Sequence, residues 1–130
     1  MGLLKPEAIQ VALDSSMVIA LFEFKVDVFQ EIVDKLGTVE WMVPVQVVKE
    51  LKALQENSQK MKVLNYVDGL FKKWKVQVVT VEAKTADLAL LELAKQGVWV
   101  ATNDKPLKHS ILKWNGRVLF LRGRRTVEVA

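Results

Sequence analysis

The sequence predicts an α/β protein of three layers, a parallel sheet of about five strands with helices on both faces. Three observations carry this reading. Short β-branched segments alternate along the chain with segments of helical periodicity, which is the pattern of a parallel sheet joined by right-handed crossovers. The strand segments hold too few polar residues to keep a wet face, as expected of strands covered on both sides. A chain of 130 residues with 51% hydrophobic and 26% charged side chains suits one packed domain over residues 1–130 and excludes a disordered or fibrous class.

Ile9-Gln10-Val11-Ala12-Leu13 reads as a central strand ending at Asp14. After Ser15-Ser16 the spacing predicts helix to about Leu36, with Val26, Val28, Phe29, Ile32, Val33 and Leu36 in helical register and Gly37 as the stop. Trp41-Met42-Val43 is a second strand, and Pro44 suits the first turn of a helix running to about Gln55. Asn57-Ser58 breaks that helix and another follows from about Lys60 to Lys73. Val76 to Val81 is a β-branched third strand, Thr85 caps a helix to about Gln96, and Gly97 ends it. Val98 to Thr102 is a fourth strand, Asn103-Asp104 a turn, and Pro106 to Trp114 a short helix. Arg117 to Leu121 forms the fifth strand, with a bend at Gly123 before a last extended piece, Thr126 to Val129.

Composition narrows the function classes. The absence of cysteine removes disulfides, thiolate zinc sites and cysteine nucleophiles, and a lone histidine, His109, removes a multi-histidine metal cage. The longest apolar run, Met17 to Phe22, is far short of the ~18 residues that span a bilayer. Met1 to Glu7 lacks the basic lead and cleavage site of a secretory leader, so a cytoplasmic protein is expected. The net charge of +4 is uneven: residues 1–104 carry 12 Lys and 14 acids (12 − 14 = −2), whereas residues 105–130 carry 7 Lys/Arg and 1 acid (7 − 1 = +6). Such a basic end permits an anionic partner such as nucleic acid, and is equally an ordinary solubility device.

Four acids stand in unusual places. Ligands of open parallel sheets bind at the carboxyl ends of the strands, where Asp14 follows the first strand and Asp104 the fourth. Singly, each also reads as a helix cap. Asp87 shares a helical stripe with Leu90, Leu91 and Ala94, the buried side of its helix, and Glu50 lies at the edge of the arc of Val47, Val48, Leu51 and Leu54. A helix-dipole role explains the position of Asp87 but not its inward direction; for Glu50 an exposed rim position is the alternative reading. Were all four to converge, like charges ~5 Å apart would repel by roughly 3 kcal/mol at an effective dielectric near 20, so the cluster must protonate or hold a cation. Oxygen-only ligands select Mg²⁺ or Mn²⁺, ions that organise phosphoryl chemistry.

The order strand-Asp14, Pro44-x₅-Glu50-Leu51, Thr85-Ala86-Asp87-x-Ala89-Leu90 and Ala101-Thr102-Asn103-Asp104-x-x-Leu107 resembles the PIN domain. This nuclease fold is used by VapC-type toxins and ribosomal RNA processing factors. The resemblance runs from about Val11 to Val129; Phe24-Lys25-Val26-Asp27 and Leu121-Arg122-Gly123-Arg124-Arg125 are similar to an archaeal branch related to small-subunit ribosomal RNA endonucleases. It implies an acidic pocket binding Mg²⁺ or Mn²⁺, with Asp14 and Asp104 as direct ligands and Glu50 and Asp87 completing or positioning the shell. Thr102 or Asn103 would hydrogen-bond the pocket or the scissile phosphate. Where the family has Thr or Ser and then Asn or another polar residue, this chain has Ser15-Ser16; Ser15 keeps the hydroxyl, and Ser16 departs.

The activity this implies is hydrolysis of RNA phosphodiesters, as the toxin of a toxin–antitoxin pair or as a processing nuclease, with homodimers common in the family. Lys105, Lys108, Arg122, Arg124 and Arg125 are candidate phosphate contacts, each with plain surface charge as the alternative. His109 is expected to face solvent or pack, and Trp41, Trp74, Trp99 and Trp114 to pack in the core rather than stack bases. Two other classes fit less well. A PIN domain that only scaffolds RNA or protein would have no need of four acids. A phospho-acceptor receiver or aspartyl phosphatase needs a second acid beside or two residues past the first, where Ser16 stands.

Overall fold

The structure, a computed structural model, describes residues 8–24, 26–55 and 61–130, with the side chains of 55 and 61–66 left aside. The expected break at Asn57-Ser58, the helix start at Lys60, Lys25 and residues 1–7 lie outside the described residues.

Apolar β1 (Ile9–Leu13) becomes fully buried from Val11 onward and occupies the middle of the sheet. Two helices follow, α1 (Ser15–Glu23) and α2 (Val28–Leu36), where the periodicity predicts one. The division has a local cause. Asp27 caps α2, its carboxylate accepting the Gln30 N–H at 3.1 Å, while Phe24 closes α1. Asp-x-x-Gln is a helix-start signature lying inside a continuous helical period, so here the cap overrides the period. Gly37 ends α2 at φ +85°, as expected of a glycine stop.

β2 (Val39–Pro44) pairs parallel with β1, and α3 (Val45–Gln55) begins one residue after Pro44. Pro44 is thus the last strand residue rather than part of the helical first turn; its missing N–H is harmless at either place. The chain continues through α4 (Met61–Lys73) to β3 (Gln77–Val79), which is half the length its β-branched run predicts. β3 pairs only with β2, and its register ends where Pro44 meets Val79, so Thr80 and Val81 have no strand to join. Next come α5 (Ala86–Lys95), β4 (Trp99–Ala101), α6 (Lys105–Lys113), β5 (Val118–Arg122) and β6 (Thr126–Val129).

Among the described residues the sheet has six strands in the order β3-β2-β1-β4-β5-β6. Five run parallel, and β6 returns antiparallel beside β5. The last extended piece is therefore a sixth strand, and the sheet is mixed. Gly123 and Arg124 both hold φ +59°, and the Arg125 N–H bonds the Arg122 carbonyl at 3.2 Å, a left-handed turn that brings the chain back on itself. β6 is fastened to α2 through Glu31, whose carboxylate accepts the Val127 N–H at 3.0 Å and the Thr126 hydroxyl at 3.1 Å.

Strand order reverses between β1 and β4: from β1 the chain moves outward to β2 and β3, then crosses back to β4 on the other flank. Right-handed connection places the helices of the two halves on opposite faces and opens a crevice at the carboxyl ends of β1 and β4. Phe29, Trp41 and Trp74 form an aromatic cluster under α2, with Phe29 edge-on to Trp41 at 4.7 Å and stacked on Trp74 at 5.3 Å. Trp99 is half-buried, but Trp114 is 59% exposed, against its expected place in the core, with the Lys95 ammonium 4.0 Å above its ring. No helix among the described residues is long and apolar enough to cross a membrane.

Candidate active site at the carboxyl edge of the sheet

Asp14 leaves β1 at the reversal point and is only 4% exposed. Its carboxylate caps α1 through the Ser15 N–H at 2.8 Å on Oδ1. On Oδ2 it accepts the Ser16 hydroxyl at 2.7 Å and the Thr102 hydroxyl at 2.6 Å. A hydroxyl has one proton to give and lone pairs to receive with. Ser16 Oγ in turn accepts the Asn103 N–H at 3.0 Å, and Thr102 Oγ1 accepts the Asp104 N–H at 3.0 Å. Two backbone amides of the β4–α6 loop are thereby relayed through two hydroxyls onto one carboxylate, which polarises each bond in the chain. Ser16, the departure from the family pattern, thus ties the loop after β1 to the loop after β4.

Asp104 caps α6, accepting the Leu107 N–H at 3.1 Å. The cap explanation is thus correct for both Asp14 and Asp104, and capping also fixes them at the mouth of the crevice. Asn103 turns the other way. Its Oδ1 accepts the Leu121 N–H at 2.8 Å and its Nδ2 reaches Met17 Sδ at 3.9 Å, so it locks the loop to β5 rather than facing the crevice.

Glu50 stands on α3 across from Ser15, whose hydroxyl donates to Glu50 Oε1 at 3.2 Å. Burial pushes its pKa up, the Ser15 hydrogen bond offsets part of this, and the charges of Asp14, Asp87 and Asp104 push it further up. Asp87 is likewise raised, by burial first and then by Asp104 and Asp14. The inward direction expected of Asp87 is corrected here. Ala86, Ala89, Leu90, Leu93 and Ala94 form the buried side of α5, and Asp87 is exposed on its flank, within electrostatic range of the other acids. Among the described residues none of the four carboxylates is in an ion pair; the one salt bridge joins Arg122 to Glu128 at 3.4 Å.

No group of three or more acidic or histidine side chains among the described residues is gathered closely enough to hold a metal ion as the side chains stand. The chemistry of the donor set nonetheless fits a hard divalent cation: every donor is a carboxylate oxygen, and among the described residues no lysine or arginine is in an ion pair with it. Glu50 and Asp87 are both exposed, which leaves their rotamers free to close on an ion.

The remaining candidates surround this edge. Lys105 is exposed at the first turn of α6, and Lys108 lies 3.8 Å over the Phe120 ring. His109 faces solvent, as expected. The hairpin with Arg122, Arg124 and Arg125 projects from the end of β5, two strand spacings or about 10 Å along the edge from β1. Arg124 is stacked over Phe24 at 5.2 Å.

The profile of a family described as PIN like domain matches residues 11–124 of this chain. The chain belongs to that family. Solved structures similar to this PIN domain include the PIN domain endonuclease Utp24, at 21% sequence identity and a TM-score of 0.74, covering 92% of this chain and 90% of that one. Another is a domain of a functionally unknown protein from Methanocaldococcus jannaschii, at 17% identity and a TM-score of 0.63, covering 89% and 93%. At these identities the likeness is one of fold. No curated protein sequence matches the chain.

The raised pKa values of Glu50 and Asp87 make the PIN domain's stability depend on pH. A carboxyl that holds its proton more tightly folded than unfolded favours the folded state below the ordinary carboxylate range, and that advantage is lost as pH rises through the raised value. With divalent cations chelated, thermal unfolding should therefore show a loss through these two groups as pH rises above the ordinary carboxylate range. Both side chains are exposed, so the loss stays below about 1 kcal/mol. The double variant Glu50→Gln/Asp87→Asn should flatten the slope; a slope identical to wild type contradicts the coupling.

Proposed function

We propose that this PIN domain is a metal-dependent endoribonuclease in which Asp14, Glu50, Asp87 and Asp104 act as one carboxylate set. The observation that carries this is that Asp14 and Asp104 stand at the strand-order reversal with Glu50 and Asp87 within their electrostatic range, that none of the four is in an ion pair among the described residues, and that burial together with the charges of Asp14 and Asp104 raises the pKa of Glu50 and of Asp87. Nuclease membership of the family and the fold shared with the endonuclease Utp24 support it. These residues would hold Mg²⁺ or Mn²⁺, which when bound supplies an activated water and positive charge beside the phosphate.

The protein's own groups divide the work. Ser16 and Thr102 fix Asp14 in one rotamer by two hydrogen bonds to the same oxygen, so the most buried ligand is preorganised. Ser15 orients Glu50 through a hydrogen bond to Oε1. Lys105 and the hairpin arginines Arg122, Arg124 and Arg125 provide positive charge on the flank for the substrate backbone. Asn103 sets the height of the Asp104 loop against β5. Products of hydrolysis by water on this plan carry 5′-phosphate and 3′-hydroxyl ends.

Cleavage of a structured RNA should require Mn²⁺ or Mg²⁺ and cease on chelation. Equal cleavage with and without the ion would remove the metal-dependent reading, and binding without any cleavage would favour the scaffold alternative. As to cellular role, the proposal covers RNA processing and the toxin of a toxin–antitoxin pair. An adjacent small reading frame encoding a DNA-binding antitoxin, together with a homodimer in solution, marks the second.

A further inference from the structure

Beside the carboxylates lies an open groove of about 710 Å³ between α3 and the segment joining β3 to α5. Glu50 belongs to both: it lines the groove and takes part in the acidic cluster. The groove is lined by polar groups that the carboxylate chemistry leaves without a role, namely Lys49, Lys84, Thr80 and Thr85, over an aliphatic floor. Lys49 and Lys84 are exposed, one on each wall, and neither is in an ion pair among the described residues. The far wall is held in place by Gln46, whose Nε2 donates to the carbonyls of Val81 at 2.7 Å and Ala83 at 2.9 Å. Among the described residues that clamp leaves a buried acceptor, Gln46 Oε1, without a partner, so the groove's shape is maintained against an opposing term.

We propose that this groove takes the RNA segment flanking the scissile phosphate, with Lys49 and Lys84 contacting its phosphates; the inference rests on the nuclease reading of the neighbouring carboxylates. Two features favour that occupant. The charge of Lys49 and Lys84 is complementary to a phosphate backbone on both walls. Glu50 lines the groove, so a strand lying in it continues across the carboxylates. The groove sits over the ends of β2 and β3, the acids over β1 and β4, and the arginine hairpin over β5. A strand crossing from β3 to β5 passes four strand spacings, about 19 Å, with basic residues at both ends and the acids between them.

The test compares wild type, the Lys49→Ala/Lys84→Ala double variant and a control, Lys35→Ala/Lys113→Ala, which removes two exposed lysines at the opposite edge of the sheet. Each is assayed with Mn²⁺ on an RNA carrying an unpaired segment. Binding of a fluorescent single-stranded RNA is measured in parallel by anisotropy without divalent ions. The expected result for the groove variant is a KM and a Kd raised about tenfold with kcat within twofold of wild type. Loss of two phosphate contacts to a single strand also lowers the slope of log affinity against log salt by about 1.4. Unchanged KM, Kd and salt slope overturn the inference while leaving the nuclease reading in place. If wild type binds but does not cleave, the nuclease reading falls, and the anisotropy arm alone still decides whether the groove holds the strand.

Discussion

Replacing Asp14 with alanine is expected to lower stability by about 3 kcal/mol and to abolish RNA cleavage. The stability loss has two sources. The α1 cap disappears, at about 1 kcal/mol, and the Ser15 N–H and the Ser16 and Thr102 hydroxyls lose their common acceptor in a site where Thr102 is fully buried. Buried donors left unpaired cost about 1 to 3 kcal/mol. Some of this is recovered because Ser16 Oγ and Thr102 Oγ1 already lie 3.3 Å apart and can pair with each other. Relief of repulsion on Glu50 and Asp87 acts in the opposite direction, but both of these side chains are exposed and solvent screening holds it below about 1 kcal/mol. The net sign is therefore destabilising. Chemical denaturation should give a lower midpoint at unchanged m-value; a variant as stable as wild type would show that the relay through the two hydroxyls carries no weight.

Asp104→Asn separates chemistry from folding. Asparagine caps a helix as well as aspartate does, so the bond from the Leu107 N–H survives and stability should change by less than about 0.5 kcal/mol. The charge next to the Asp14 relay is lost, and with it one ligand of the proposed cation. RNA cleavage should fall by about 100-fold or more, equivalent to roughly 2.7 kcal/mol of barrier. Full activity in a variant with unaltered unfolding would take Asp104 out of the site.

The sequence makes the order of acids and strands legible because each acid follows an apolar run or opens a helix, and local signals of that kind survive folding unchanged. Thr85, Gly37 and Gly97 stop or start helices where their chemistry predicts. What it hides depends on distant partners. Asp87 shares the helical period of the buried face, yet it is exposed because α5 seats itself on Ala86, Ala89 and Leu93 instead. The third strand is short because its partner ends at Pro44. Thr126 to Val129 becomes a strand through the left-handed turn at Gly123 and Arg124 and through Glu31, which is 95 residues away from Thr126. Ser16 shows no role until the loop bearing Asn103 is folded against it. Only the Asp27 cap was available locally, in its spacing to Gln30, and there the helical period masks it.

Glu50 and Asp87 also show why such a site is held at some expense. Both are partly desolvated and repelled by Asp14 and Asp104, so the metal-free fold bears a strain that neutral side chains would relieve, the usual opposition between stability and function. Calorimetric titration with Mn²⁺ tests the carboxylate set itself. Saturable heat is expected for the wild-type chain, with its loss, or a severalfold weaker affinity, in Asp104→Asn, which keeps the helix cap. A wild-type titration with no heat beyond dilution would contradict that expectation.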